Sequence, residues 1–171
     1  LNPKKPVSVL VLIHTPSLDV LLLERAAHPG FWQSVTGSQE GDEPLRLTAA
    51  REVAEETGIR VRAEDLLDWR LINRYEIFPE WRHRYPPGVS ENVEHVFSMQ
   101  VPAPLPVTVA PGEHLGYRWL PLREAARATF SWSNRDAILM LPRIVGIRSG
   151  SFMGSRDDGE ARAGGFGLPA A

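Results

Sequence analysis

The stretch from Gly37 to Ile59, GSQEGDEPLRLTAAREVAEETGI, constrains this chain more than any other. It opens with glycine-punctuated turn residues and passes into a helical pattern that carries Glu52, Glu55 and Glu56. At about 100° per residue, Glu56 lies about 40° round the helix from Glu52, and Glu55 about 60° to the other side. Three carboxylates therefore share one wall. At i,i+4, Glu52 and Glu56 repel by roughly 0.2–0.5 kcal/mol, and no lysine stands between them. A hard divalent cation would turn that liability into a site, because Mg²⁺ and Mn²⁺ favour carboxylate oxygens. A bare acidic cluster is more often a solvated helix face, so the surrounding pattern has to decide.

The rest of the composition narrows the class. A chain of 171 residues is long enough for one domain with a real core. Its net charge of −2 gives no global argument for binding nucleic acid or a membrane surface. It has no cysteine, so disulfides and thiolate metal sites are excluded. The longest apolar run, Val7 to Ile13, is interrupted by Ser8 and is too short to span a bilayer. No signal-peptide pattern is read before it, and a cytoplasmic location is expected.

Strands alternate with helices, which gives an α/β class. Val7 to Ile13 reads as a strand buried on both faces, hairpin-paired with Val20 to Glu24. Phe31 and Trp32 are expected in the core. The acidic helix should start near Glu43 or Pro44, with proline in its first turn, and end at Gly58 in a left-handed cap. Val61 to Trp69 reads as a connection and Leu71 to Phe78 as a strand; Val93 to Val101 alternates as another, and Tyr117 to Leu120 as a short one. Pro121 to Ala128 suggests a helix. A last helix, with Ser133 and Asp136 spaced for capping, should run to about Val145, with Pro142 kinking it or ending its first part. Residues 1–148 are read as one domain. Six of the fourteen glycines fall beyond Ser149, and 149–171 is expected to be a flexible tail.

Several residues outside the acidic helix carry candidate chemistry. Arg25, at a strand end, is either a surface cation or a phosphate contact. Ser34 and Thr36, beside Gly37 and Ser38, offer hydroxyls and close backbone approach to a polyanion. The run Arg82-His83-Arg84 is either a solvated loop or a lid over phosphates. His95 is expected to be a hydrogen-bonded core histidine.

Written out, the central stretch is Gly37, five residues, Glu43, seven residues, Arg51-Glu52-Val53, one residue, Glu55-Glu56, one residue, Gly58-Ile59. It resembles the Nudix box at every fixed position, a far more specific match than a lone glycine motif. The resemblance implies the Nudix fold, a mixed sheet between helices, and metal-assisted hydrolysis of a nucleoside diphosphate linked to another group. It implies Glu52 and Glu56 as metal ligands, Glu55 as a further or supporting one, and Arg51 as a structural partner of Glu43 and the loop. Glu113, in a loop before a strand, is the candidate that returns a carboxylate to the metal and serves as general base.

The segments FWQSVTGS (31–38), EIFPEWRHRYPPGVSENVEHVFSM (76–99), EHLGYRWLP (113–121) and SWSNRDAI (131–138) resemble more closely the bacterial dihydroneopterin triphosphate diphosphatases. That resemblance implies Mg²⁺-dependent release of pyrophosphate from 7,8-dihydroneopterin triphosphate, in folate biosynthesis. It implies Glu52, Glu56 and Glu113 as metal ligands, with Lys4, Arg25, Thr36, Tyr75, Glu76, Ile77, Phe78 and Ser131 contacting substrate. Two other readings remain at this point. One is a broad (d)NTP pyrophosphatase; the other is a non-catalytic Nudix module that binds a nucleotide.

Overall fold

A computed structural model describes residues 2–153, as a seven-stranded mixed sheet covered by helices on both faces. The strands are β1 (Val7–His14), β2 (Asp19–Arg25), β3 (Trp32–Gln33), β4 (Val35–Ser38), β5 (Leu67–Glu76), β6 (Glu91–Gln100) and β7 (His114–Pro121). The helices are α1 (Leu45–Thr57), α2 (Leu122–Ala128) and α3 (Trp132–Met153). Short 3-10 helices cover Ala63–Asp65 and Pro79–Arg84.

β1 is the axis, because an apolar run without alternation can only be covered on both sides. Its odd residues Val9, Val11 and Ile13 pack with Leu21, Leu23, Val35 and Phe97 beneath α1, which contributes Ala49 and Val53. Its even residues Leu10 and Leu12 join Val20, Leu22 and Val96 beneath α2 and α3, which contribute Ala125, Ala126, Ala137, Ile138 and Leu141. Alternate side chains of one strand thus seed two cores.

The expected β1–β2 hairpin forms only at its mouth. His14 pairs with Val20, after which the strands diverge. β1 pairs along its whole length with β6 in parallel, while β2 pairs along its whole length with β7. Into the opening wedge come β4, paired with Ser8 to Val11 of β1, and β3, paired with Leu23 and Glu24 of β2. Ser34 is the hinge between these two short strands and is fully buried. Asn134 of α3 satisfies it, accepting from the Ser34 N–H at 2.8 Å and donating to its hydroxyl at 2.9 Å.

Other boundaries moved for local reasons. β5 begins at Leu67, not Leu71, because a bulge between Asp68 and Ile72, with Arg70 at φ 53°, absorbs the break in alternation. It ends at Glu76, so Ile77 and Phe78 leave the sheet. Pro44 sits at the N-cap of α1, one place before the first turn. Gly58 caps α1 in the left-handed conformation as expected, at φ 72° with its N–H on the Ala54 carbonyl. The cap of α3 is Ser131, whose hydroxyl accepts from the Asn134 N–H, in place of the expected Ser133–Asp136 pair. α3 continues through Pro142, which lies on its exposed side where water can satisfy the opened ladder. Phe31 is 38 % exposed and stacks on Phe130, so it belongs to the surface and not to the core. α3 also passes the expected 148/149 boundary; the remainder of the glycine-rich tail lies outside the described residues.

Asn134→Ala strips both bonds from Ser34 and leaves a buried N–H unsatisfied. It should cost about 1–3 kcal/mol of unfolding free energy, read from urea denaturation. A loss below about 0.5 kcal/mol would show that the hinge does not depend on α3.

Candidate active site

The acidic wall is set by α1 and by what it leans on. Glu52 is 8 % exposed and Glu56 4 %. A Cβ on Gly37 would lie 1.9 Å from the Glu52 carboxyl carbon, so β4 can accept the Glu52 carboxylate only where it carries no side chain. The close approach at this glycine comes from the protein's own glutamate.

Arg51 holds the wall in place. Its Nη2 donates to Glu43 at 2.7 Å and to the Ser38 carbonyl at 3.1 Å, and its Nη1 donates to Glu52 at 2.9 Å and Glu55 at 3.2 Å. Arg51 is thus the structural partner expected of it, and it also offsets part of the repulsion read from the sequence. Its hydrogen bond holds the Glu43 carboxyl down at about 2. Glu52 behaves differently: burial pushes it up to about 7, and Arg51 opposes without prevailing. Glu56 is raised well above the usual range, by burial first and by Glu52 second. It accepts one long hydrogen bond, 3.4 Å from the Thr36 N–H.

Glu113 reaches Glu56 from the other side of the wedge. Glu113 and His114 both donate their N–H to Ala110, and the Glu113 carbonyl accepts from Ala26, which fastens this turn to the end of β2. One ligand atom each from Glu56, Glu113 and His114 lies within 4.8 Å of the others. Burial lowers the His114 pKa, and its buried Nδ1 has no hydrogen-bond partner. His114 drew no attention in the sequence; only pairing of Arg25 with His114 across β2 and β7 brings it here. The set fits a hard divalent cation. Two carboxylates are held dry and mutually repelling, a third closes the group, and an orphaned ring nitrogen stands beside them. Glu55 is more than half exposed, tied to Arg51, and stands at the rim.

Glu52, Glu55, Glu56 and Glu113, with Arg51 and His114, line a single cleft of about 1500 Å³, with a cationic side facing the acidic one. Lys4 and Arg25 are partly buried, and both have lowered pKa values, first from burial and then from Arg84 beside them. The Lys4 N–H is anchored on the Arg84 carbonyl at 2.7 Å. The Arg25 guanidinium lies 5.0 Å from the Trp81 ring and 5.9 Å from Phe130, and its Nη1 donates to Gln33. Three cations with few anionic partners are a polyanion site. The Pro79–Arg84 turn therefore does more than present a solvated charge run. Trp81 covers Arg25, Arg82 pairs with Glu76, and Arg84 completes the cationic group.

The cleft is also lined by the other residues expected at substrate: Thr36, Tyr75, Glu76, Ile77, Phe78 and Ser131. They are not equally free. The Thr36 hydroxyl donates to the Val9 carbonyl, Ile77 is buried with its N–H on Ser90, and the Ser131 hydroxyl caps α3. Phe78 is half exposed and packs edge-on against Trp81. The Tyr75 hydroxyl lies inside, bonded to Asn92 and Glu94. Asn92 and Glu94, which sequence reasoning passed over, line the same cleft.

Comparison with known proteins agrees with this geometry. A family model described as the NUDIX domain matches residues 4–141. The dihydroneopterin triphosphate diphosphatase of Escherichia coli K12 is 46 % identical over 138 residues, 79 % of this chain and 91 % of that protein. The Haemophilus influenzae protein of the same name is 38 % identical over 135 residues, 77 % of this chain and 84 % of that one. The solved structure of the E. coli dihydroneopterin triphosphate pyrophosphohydrolase superposes with a TM-score of 0.75 at 45 % identity, covering 81 % of this chain and 95 % of that one. A Caenorhabditis elegans Ap4A hydrolase shares the fold alone, at a TM-score of 0.63 and 17 % identity. With its box intact on α1 and its wedge-split sheet, the chain belongs to the Nudix hydrolase family.

Proposed function

We propose that this protein hydrolyses 7,8-dihydroneopterin triphosphate, breaking the bridge between the α- and β-phosphates to release pyrophosphate and leave dihydroneopterin monophosphate. The observation that carries this reading is one cleft in which a carboxylate group faces Lys4, Arg25 and Arg84, and which continues into a polar recess by Tyr75. The relatives named for this reaction support the choice of substrate. The product belongs to folate biosynthesis.

Glu52, Glu56 and Glu113 would hold Mg²⁺, with Mn²⁺ as a substitute. When bound, the cation neutralises phosphate oxygens and makes water a better nucleophile at neutral pH. The chain's own residues do the rest. Lys4, Arg25 and Arg84 clamp the triphosphate and fix its line of approach, which is where most of the catalysis in phosphoryl transfer lies. Glu113, exposed at the mouth, takes the proton from the attacking water, and Glu55 with Arg51 keeps the wall in register. Phe78 and Trp81 shield the phosphates from bulk solvent and offer ring faces to a planar base.

Pyrophosphate release measured with the pterin triphosphate beside the dNTP series, with Mg²⁺ and with EDTA, tests the reading directly. The pterin should give the highest kcat/KM and EDTA should abolish turnover. Equal or better use of dATP would assign the protein to nucleotide clean-up, and binding of a nucleotide with no turnover of any substrate would make it a regulatory module.

Glu56→Gln removes a charge from the cation site together with one like-charge repulsion. It should lower kcat by about a hundredfold or more without loss of thermal stability. Unchanged turnover would remove Glu56 from the site.

The buried glutamates also set how stability varies with pH. Glu52 titrates near 7 when folded, against an ordinary 4.5, and Glu56 is raised further. A group whose pKa is raised on folding stabilises fully below its unfolded pKa and loses that contribution as pH climbs through the folded one. Glu43, held down, keeps its contribution above about pH 5, and His114 opposes only below its ordinary value. In EDTA, the melting temperature should therefore rise as pH falls from about 8 to about 5. Glu56→Gln should flatten the slope and excess Mg²⁺ should reverse it, because the cation binds only ionised carboxylates. A wild-type curve that falls over this range without metal would contradict the burial argument.

A further inference from the structure

Across the middle of the sheet, one row of side chains breaks the apolar pattern. Ser38 of β4 lies opposite Ser8 of β1, Ser8 opposite Glu94 of β6, and Glu94 opposite Asn73 of β5. Two pairs nearer the β6 start, and therefore on the same face, Asn92 faces Tyr75. The same face continues with Leu10, Leu12 and Val96, which are core. Polar side chains buried at the end of a core face cost free energy unless they have partners. Here the partners are incomplete.

Glu94 is 4 % exposed and lines the cleft, and its carboxylate accepts from Ser133 of α3, from Asn73 at 3.3 Å and from the Tyr75 hydroxyl at 3.4 Å. Asn92 is 1 % exposed; its amide donates to Ser8 at 2.7 Å and to Tyr75 at 2.9 Å, while its Oδ1 has no partner. Burial raises the Glu94 pKa, against the hydrogen bonds it receives. The recess thus presents a buried carboxylate to the cleft, beside an amide oxygen that has no partner.

We propose that Glu94 reads the base of the substrate, its two carboxylate oxygens accepting from a ring N–H and the adjacent exocyclic amine. This deepens, and rests on, the pterin triphosphate reading. The 2-amino-4-oxopyrimidine ring of a pterin carries that donor pair side by side. Guanine carries it too. Adenine, cytosine and thymine do not. Position agrees with chemistry, because β6 is two strands from β4, where Gly37 receives the Glu52 carboxylate. At about 4.8 Å per strand, the recess lies about 10 Å across the sheet from the phosphate end, a reach that suits the distance from a triphosphate to its base. Sites built to hydrogen-bond a substrate discriminate strongly, because an analogue lacking the donors leaves buried groups unpaired.

The test compares kcat/KM for dihydroneopterin triphosphate, dGTP, dITP and dATP in wild type and Glu94→Gln, with inhibition constants where turnover is too slow. In the wild type, dGTP should exceed dITP, which differs only by the missing exocyclic amine, and should exceed dATP, each by about tenfold. Glu94→Gln should lower kcat/KM for the pterin and for dGTP by about 10- to 100-fold, mainly through KM. Its effect on dATP should be less than about threefold, so the dGTP preference collapses. An equal loss on all four substrates, or no loss on the pterin, would overturn the proposal. If Glu94→Gln does not fold, the dGTP to dITP ratio of the unmodified protein decides, and a ratio near one overturns it. These ratios hold apart the two ways of failing. A protein that prefers dNTPs to the pterin but keeps the dGTP over dITP preference loses the pterin reading and retains the role of Glu94.

Discussion

The structure depends on a carboxylate held against bare backbone. Glu52 lies where a side chain on Gly37 would have to be, so α1 and β4 are fixed to one another at the point where the site must be built. Arg51 makes this arrangement tolerable. By spanning Glu43, the Ser38 carbonyl, Glu52 and Glu55, one guanidinium ties the loop before α1 to the helix and to the strand. Yet burial still outweighs Arg51 at Glu52, and Glu56 has no comparable partner. The protein therefore keeps its fold while leaving net repulsion where a divalent cation can relieve it. A wall fully neutralised by lysines would be more stable and would have no use for metal.

The divergence of β1 and β2 has the same logic at a larger scale. A full hairpin would close the sheet between Lys4 and Arg25. Because the strands pair only at His14 and Val20, the opening admits β3 and β4, and the end of β2 faces Glu113 and His114. The cations and carboxylates then meet across one wedge. Ser34, the hinge of the insertion, is held by a residue of α3 one hundred positions away, so a helix of the opposite layer takes part in placing β4.

What could be read beforehand follows from where information sits in the chain. The box is local: its glycines, its arginine and its four glutamates occur within one strand–loop–helix unit, and the wall of α1 followed from helical geometry. The doubly covered β1 was equally plain, because its apolar run has no alternation. His114 was not legible, and Arg84 only as part of a basic run with two readings, since each is functional only through pairing or chain crossing that brings it to residues far off in sequence. The wrong expectations share that cause. Phe31 looked like core by composition, but stacking on Phe130 keeps it at the surface. The Ser133–Asp136 spacing suggested a cap, yet Ser131 holds the position because the chain enters α3 directly from its pairing with Trp32.

Ser8 carried a signal that periodicity alone could not interpret. A polar residue inside an otherwise apolar central strand has to be explained by its neighbours, and those lie on β4 and β6. Once the register is known, Ser8, Asn92, Glu94 and Asn73 form one continuous polar patch in an otherwise apolar sheet face. If its purpose were structural, its members would satisfy one another, as Ser34 and Asn134 do nearby at 2.8 and 2.9 Å. Here Glu94 accepts from Ser133, Asn73 and Tyr75, the last two at 3.3 and 3.4 Å, while Asn92 keeps an acceptor without a partner. The contrast between two buried polar groups, one with its polar side-chain atoms paired and one with an open amide oxygen, separates scaffold from recognition surface.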